Sequence, residues 1–187
     1  MTEVEYSVLI QRLNQFEKRL SVLEGIDKNS LSSELYLEIE LPEADIDGLH
    51  FTRQYVKSLF VLKDGNYYAK DVLFHSARNT TDNSSRDILT EYLESDEVKE
   101  AFATAYNEAI ESNEIDADDI KVFLPSKEYT GNHEIKKYNG GREWYWLKEK
   151  YSTTYFVYVD SIGYVSGSNA YNMYGVSPAF CIVKDNA

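Results

Sequence analysis

The residue type that stands out for chemistry is tyrosine. Of sixteen tyrosines in the chain, eight fall in one short stretch: Tyr138, Tyr145, Tyr151, Tyr155, Tyr158, Tyr164, Tyr171 and Tyr174. Ser152, Ser161, Ser166, Ser168, Asn139, Asn169, Asn172 and several glycines lie between them. Tyrosine offers a broad contact surface at small entropic cost, while Ser, Asn and Gly adapt their hydrogen bonds to a ligand. This mixture points to binding. The candidate ligand-binding residues are Tyr145, Tyr151, Tyr155, Asn169, Tyr171, Asn172 and Tyr174. Strand preference alone explains the tyrosines that sit in strands, so about half of the eight need no functional account on that ground.

Residues arranged for catalysis are scarce. His50, His75 and His133 are far apart and lack metal-ligand spacing. No glycine-rich phosphate loop and no Gly-x-Ser-x-Gly elbow occurs. Glu114, Asp116, Asp118 and Asp119 do not follow the calcium-loop pattern and read as a solvated helix end. The single cysteine, Cys181, lies in the apolar run Ala179-Phe180-Cys181-Ile182-Val183. One cysteine makes no internal disulfide, and a small buried hydrophobe is the simpler role for it. The reading is non-enzymatic, with no catalytic residue, no metal and no cofactor.

The elements that would position these residues begin with a helix. Tyr6, Leu9, Leu13, Phe16, Leu20 and Leu23 are spaced 3, 4, 3, 4 and 3, a heptad seam. With Tyr6, Leu13 and Leu20 at a, the flanking charges Arg12 with Glu17 and Arg19 with Glu24 pair across parallel helices. The seam predicts an oligomerising coiled coil over residues 1–25, with a trimer favoured. The alternative is an amphipathic helix docked on its own domain. Three heptads are too short to be very stable alone.

Residues 26–48 read as a linker and a strand. Leu35, Leu37, Ile39 and Leu41 alternate with polar neighbours up to Pro42, the pattern of a half-buried strand. Strands follow near Phe51–Val56 and Leu59–Leu62, and Asp64-Gly65 marks a hairpin. Asn79 to Ser85 is a loop by composition. One helix carries Ile88, Leu89, Tyr92 and Leu93. The next starts at Ser95 as N-cap and presents Val98, Phe102, Ala105, Tyr106, Ala109 and Ile110. A strand at Ile120–Leu124, a long loop from Thr130 to Arg142, and short strands near Trp144–Leu147, Tyr155–Val159, Tyr164–Ser166 and Ala179–Val183 complete the chain.

Composition narrows the partners. The net charge is -13 over 187 residues, which disfavours nucleic acid and anionic membrane surfaces. Hydrophobic content of 43% is ordinary for a globular domain with its own core. No apolar run reaches the length of a membrane span, so no membrane insertion is expected. The acidic start Met1-Thr2-Glu3-Val4-Glu5 is no signal peptide. A role outside the cell then implies release by lysis or as part of an assembly.

The carboxy-terminal motifs carry a resemblance. Trp144-Tyr145-Trp146-Leu147, Tyr155-Phe156-Val157-Tyr158-Val159, Ser161-Ile162-Gly163-Tyr164-Val165-Ser166 and Tyr174-Gly175-Val176-Ser177-Pro178-Ala179-Phe180 resemble an uncharacterised family of bacterial and phage proteins. That family ends in a WWLRSP…G-x-V…GVRPA pattern and is similar to the formylglycine-generating-enzyme type of C-type lectin fold. The resemblance spans Leu49 to Lys184. Lys148, Glu149 and Lys150 stand where the family has Arg-Ser-Pro, and Ser177 replaces the second arginine. The copper-binding cysteines of the formylglycine-generating enzyme have no counterpart here.

The heptad seam and the resemblance together predict an α+β fold: an amino-terminal coiled-coil helix, from the seam, followed by a C-type-lectin-like domain of short antiparallel strands with two helices, which the resemblance implies, the ligand-display domain being residues 49–187. The resemblance also implies a phage virion fibre or appendage protein that is assembled in the host cytoplasm, contacts other virion proteins through its amino-terminal region, and binds a host-surface glycan or protein through its carboxy-terminal loops. The alternatives are a structural virion decoration or attachment protein, and a bacterial protein-interaction module, which would be cytoplasmic.

Overall fold

The computed structural model describes residues 2–23, 33–128 and 134–183, with side chains through residue 17 in the first of these. In chain order the elements are α1 (Glu3–Leu23), β1 (Glu34–Leu41), β2 (Ala44–Ile46), β3 (Leu49–Phe51), β4 (Gln54–Lys63), β5 (Asn66–Ala69) and β6 (Phe74–Ser76). Then come α2 (Ile88–Leu93), α3 (Asp96–Ile110), β7 (Ile120–Phe123), β8 (Lys136–Tyr138), β9 (Gly141–Glu143), β10 (Tyr145–Lys150) and β11 (Tyr155–Val159). The chain ends in β12 (Val165–Asn169), β13 (Tyr174–Val176) and β14 (Ala179–Ile182).

Two five-stranded sheets carry the fold, in the orders β1-β4-β5-β14-β7 and β12-β11-β10-β13-β6. In β1, Leu35, Leu37, Ile39 and Leu41 share one face by the period-two rule. They enter one core with Phe60, Phe180 and the apolar stripe Val98, Phe102, Ala105, Tyr106 and Ala109 of α3. Phe60, Phe102 and Phe180 meet edge to face. Trp146 and Phe156 of the second sheet join the same core. The other face of that sheet holds a smaller cluster of Val72, Tyr145, Leu147, Val157 and Val159.

Local chemistry accounts for the boundaries. Ser95 caps α3 by accepting from the Val98 amide. Asp64 and Gly65 both take positive φ between β4 and β5, as the tight hairpin demands. Asp47 and Gly48 do the same between β2 and β3. The region read as two strands is one, β4, because Ser58 is buried and keeps the ladder with β1 intact through Leu37. Within the expected loop from Thr130 to Arg142 lies the hairpin β8–β9, turned at Asn139-Gly140.

The amino-terminal helix departs from expectation. Thr2 and Glu5 cap it reciprocally: the Glu5 amide donates to Thr2 Oγ1 and the Thr2 amide to Glu5 Oε2. No coiled coil is evident. The seam residues Tyr6, Leu9, Leu13 and Phe16 are 45–61% exposed, whereas Ser7 is buried. The helix docks in cis through its polar side. Gln11 Nε2 donates to the Ala109 carbonyl at 2.9 Å, and Glu3 pairs with Lys70 at 3.2 Å. The Ala109 carbonyl belongs to the last turn of α3, where carbonyls have no helical partner. An amide that satisfies one gains more than an apolar side chain placed there. The side chains of Arg19, Leu20 and Leu23, and all of Glu24, lie outside the described residues.

Strand outweighs helix, 40% to 24%. The fold is mixed α+β, and its two sheets replace the expected architecture of a coiled-coil stem bearing a C-type-lectin-like head. No described helix is long and apolar enough to cross a membrane.

Candidate ligand-binding face

The residues singled out from the sequence meet on the β10–β13 sheet, on both of its faces. β11 and β12 run antiparallel, with Tyr155 opposite Asn169, Val157 opposite Gly167 and Tyr158 opposite Ser166. Successive residues alternate sides. Tyr155, Gly167 and Asn169 therefore share one face, and Phe156, Tyr158, Ser166 and Ser168 the other.

The first face carries Tyr151, Tyr155, Asn169 and Tyr171. The Tyr151 ring lies directly on Gly167: a Cβ there would stand 2.3 Å from the ring. The Tyr151 and Tyr155 ring centroids are 6.5 Å apart. Asn169 Nδ2 donates to the Tyr171 hydroxyl at 3.1 Å, but Asn169 Oδ1 is buried without a partner. Whichever way the amide is turned, one of its polar atoms is orphaned. The three tyrosines are 37–60% exposed. The face thus combines three exposed aromatic rings with one buried acceptor that has no partner.

The opposite face is closed by its own contacts. Tyr174 lies across Trp146, with centroids 4.7 Å apart, and next to Tyr158 at 5.0 Å. Trp144 stacks on Tyr158 at 5.1 Å. The Tyr174 hydroxyl bonds to Ser168 Oγ, which also accepts from Asn172 Nδ2. Asn172 and Tyr174 are thus committed to this face and do not join the other four. Burial, then the neighbouring Tyr174 and Asp160, raises the Tyr158 pKa. Tyr145 has no exposed surface, and its hydroxyl donates to the Glu134 carbonyl. It is a core residue.

A segment read from the sequence only as a polar loop positions the first face. Ser84 Oγ donates to the Ser152 carbonyl, and the Ser84 amide to Thr153. Ser152 Oγ accepts from the Thr154 and Tyr155 amides, which fixes the turn carrying Tyr151 and Tyr155. The amides of Arg78 and Asn79 both donate to the Ala170 carbonyl, beside Tyr171. The polar loop Asn79–Ser85 is therefore a clamp on both ends of the site.

Arg78 anchors this clamp and is wholly buried. Its guanidinium donates to both oxygens of Asp87 at 3.0 and 2.5 Å, and to the carbonyls of Leu147 and Lys148. It also lies over the Phe156 ring at 4.0 Å. Burial alone would raise the Asp87 pKa. The ion pair and hydrogen bonds from Arg78, with those from Thr90, outweigh it and hold the carboxyl below its ordinary value. Asp87 also caps α2. No periodicity announces this pair, because Arg78 stands in the mixed run Phe74-His75-Ser76-Ala77-Arg78-Asn79.

Cys181 is half-buried, and burial pushes its thiol pKa up, away from reactive thiolate. Lys136 is buried, donates to the Ala69 carbonyl, and has its pKa lowered by burial to about 8. His75 bonds to Glu143 at 3.1 Å and meets the Tyr138 ring edge to face. His50 is exposed, and His133 lies outside the described residues. Among the described residues no group of three or more His, Cys, Asp or Glu is placed to hold a metal ion.

The family model described as "Domain of unknown function (DUF6273)" matches residues 75–184, more than half of the chain and all of the candidate face. No curated protein matches, and no solved structure matches.

Proposed function

The chain belongs to the DUF6273 family, and we propose that it is a non-catalytic ligand-binding protein whose ligand is a cell-surface glycan held at Tyr151, Tyr155, Asn169 and Tyr171. The observation that carries the reading is the orphaned amide atom of Asn169 among three exposed tyrosine rings. Leaving a buried polar atom unpaired costs about 1–3 kcal/mol. A ligand hydroxyl recovers that cost, while aromatic faces pack against the C–H faces of a sugar ring. A sugar offers both in one molecule. The proposal extends to the setting: a phage virion appendage presented to a host surface, where several weak faces gain by avidity.

The test is retention on a panel of immobilised cell-surface oligosaccharides, comparing the intact protein with Tyr155→Ala, Tyr171→Ala and Asn169→Ala, with circular dichroism to establish folding. Retention of the intact protein on at least one glycan, lost in the folded variants, is the expected result. Failure to bind any glycan, or binding that survives all three substitutions, overturns the reading.

A further inference from the structure

The second sheet ends in a free edge. β12 is its outermost strand and pairs only with β11. The phase of that ladder follows from the bonds at its two ends. The Ala170 amide donates to the Thr154 carbonyl, and the Asp160 amide to the Tyr164 carbonyl. Both pairs continue the register in which Phe156 faces Ser168 and Tyr158 faces Ser166. Hydrogen-bonded and non-bonded positions alternate along an antiparallel pair. Ser166 and Ser168 therefore bond to β11, while Val165, Gly167 and Asn169 turn their amides and carbonyls outward. Among the described residues, the Asn172 amide reaches the Asn169 carbonyl, and the other outward groups have no backbone partner.

Native sheets blunt such edges with lysine, proline, a bulge or a covering element. β12 reads Val-Ser-Gly-Ser-Asn, with no charge and no proline, and its register with β11 is unbroken. The edge strand β1 of the first sheet, by contrast, has α1 beside it.

β12 is also complementary to itself. A twofold axis through Gly167 sets Gly167 opposite Gly167 of a second copy, Val165 opposite Asn169, and Ser166 opposite Ser168. The outward-turned residues then fall at hydrogen-bonded positions. Gly167 exchanges both of its bonds with its counterpart, and the Asn169 amide donates to the Val165 carbonyl. The Asn169 carbonyl has a second lone pair for the Val165 amide. None of the facing residues is charged, so the copies meet here without like-charge opposition, despite a net charge of -13 on each chain. Each Tyr151 ring lies on its own Gly167 and is 60% exposed. Cα atoms of a hydrogen-bonded pair stand ~5.5 Å apart, within the ~4.5–7 Å at which aromatic rings pack.

We propose that β12 is a dimerisation edge, to which a second copy of this chain adds its own β12 antiparallel and joins the two sheets into one. The occupant is a second copy because donors, acceptors and side-chain sizes match under one twofold operation, as an isologous contact requires. Dimerisation here is independent of any glycan, but it sets both tyrosine faces on the same side of the joined sheet. A strand this short buries less than the ~800 Å² per partner of a standard stable interface, so the dimer is weak and depends on concentration.

The experiment is light scattering of the full chain over a concentration series from about 1 to about 500 µM. The mass is expected to rise from one chain to two. Val165→Pro removes a donor that β11 does not use, at a strand position that tolerates proline. It takes one bond from each half of the dimer and is expected to weaken association about 25-fold. Ser166→Lys, at an exposed position, brings two like charges ~7–8 Å apart diagonally across the axis. It is expected to weaken association as well, and it decides the matter if the proline variant does not fold by circular dichroism. A single-chain mass at every concentration overturns the proposal and leaves the edge to a strand of another protein. A mass converging on three chains, or a dimer indifferent to the folded variants, overturns it too.

Discussion

The Tyr174 hydroxyl lies 2.7 Å from Ser168 Oγ although β10 and β11 separate their strands in the sheet. The tyrosine ring bridges that gap by lying at a tilt across Trp146 and beside Tyr158. One side chain therefore fastens β13 to β12 and seals the aromatic interior below it. Tyr174→Phe keeps the ring and removes the bond. It is expected to cost about 1 kcal/mol, read by denaturant unfolding. Ser168→Ala should cost a similar amount, and the double variant little more than either alone.

Arg78 and Asp87 make the stronger prediction. Arg78→Met leaves a partly buried carboxylate without its partner; breaking a fully buried pair costs about 3–5 kcal/mol, and the partial exposure of Asp87 places the expected loss at or below the lower end. The pH dependence follows from the lowered Asp87 pKa. Its contribution is present above the unfolded carboxylate value near 3.8 and is lost as pH falls through the lower folded value. The intact protein should lose stability in acid over that range. Arg78→Met should flatten that limb, as measured by urea midpoints across the pH range.

Lys136 has the same pH sign as Asp87 but acts at the alkaline end, and its cause is burial rather than pairing. Its pKa is about 8 when folded against 10.5 for the unconstrained side chain. Between these values the unfolded chain binds more protons, so rising pH favours the folded state. Relative to Lys136→Met, the intact protein is expected to gain up to about 1.4 kcal/mol per pH unit above pH 8. The Ala69 carbonyl keeps Ser177 Oγ as a donor in the variant, so the substitution opens no new unmet acceptor. Burial raises the pKa of Tyr67 and Tyr92. Their stabilisation is present below pH 10 and falls as pH rises beyond it, equally in both proteins, so the difference in urea stability isolates the lysine.

Gly175 tests the packing that holds Tyr174 in place. A Cβ there would stand 2.6 Å from a Val72 methyl and 2.7 Å from the Trp144 carbonyl oxygen. The oxygen is backbone and accepts the Gly175 amide, so it cannot retreat cheaply. Gly175→Ala is expected to destabilise by about 1–3 kcal/mol, visible as a lower thermal midpoint.

The sequence by itself determined the parts of this protein that depend on neighbours along the chain. Alternation placed β1, turn chemistry placed the Asp64-Gly65 hairpin, and Ser95 announced α3. These are governed by backbone geometry and local hydrogen bonds, which a few consecutive residues specify. Composition likewise brought Tyr151, Tyr155, Asn169 and Tyr171 into consideration, because exposed binding surfaces favour those residue types. Tertiary structure decided the rest. Heptad spacing records that one stripe of α1 is apolar, yet the side that docks was settled by what α3 and β1 offered, an unpaired carbonyl and a polar edge. The same composition that marked Tyr155 also marked Tyr145, and only the tertiary structure covered one, among Val72, Leu147, Val157 and Val159 and against the Glu134 carbonyl, and left the other at the surface. The clamp from Arg78 to Ser84 joins residues about seventy positions apart, and such long-range hydrogen bonds leave no periodicity in the chain.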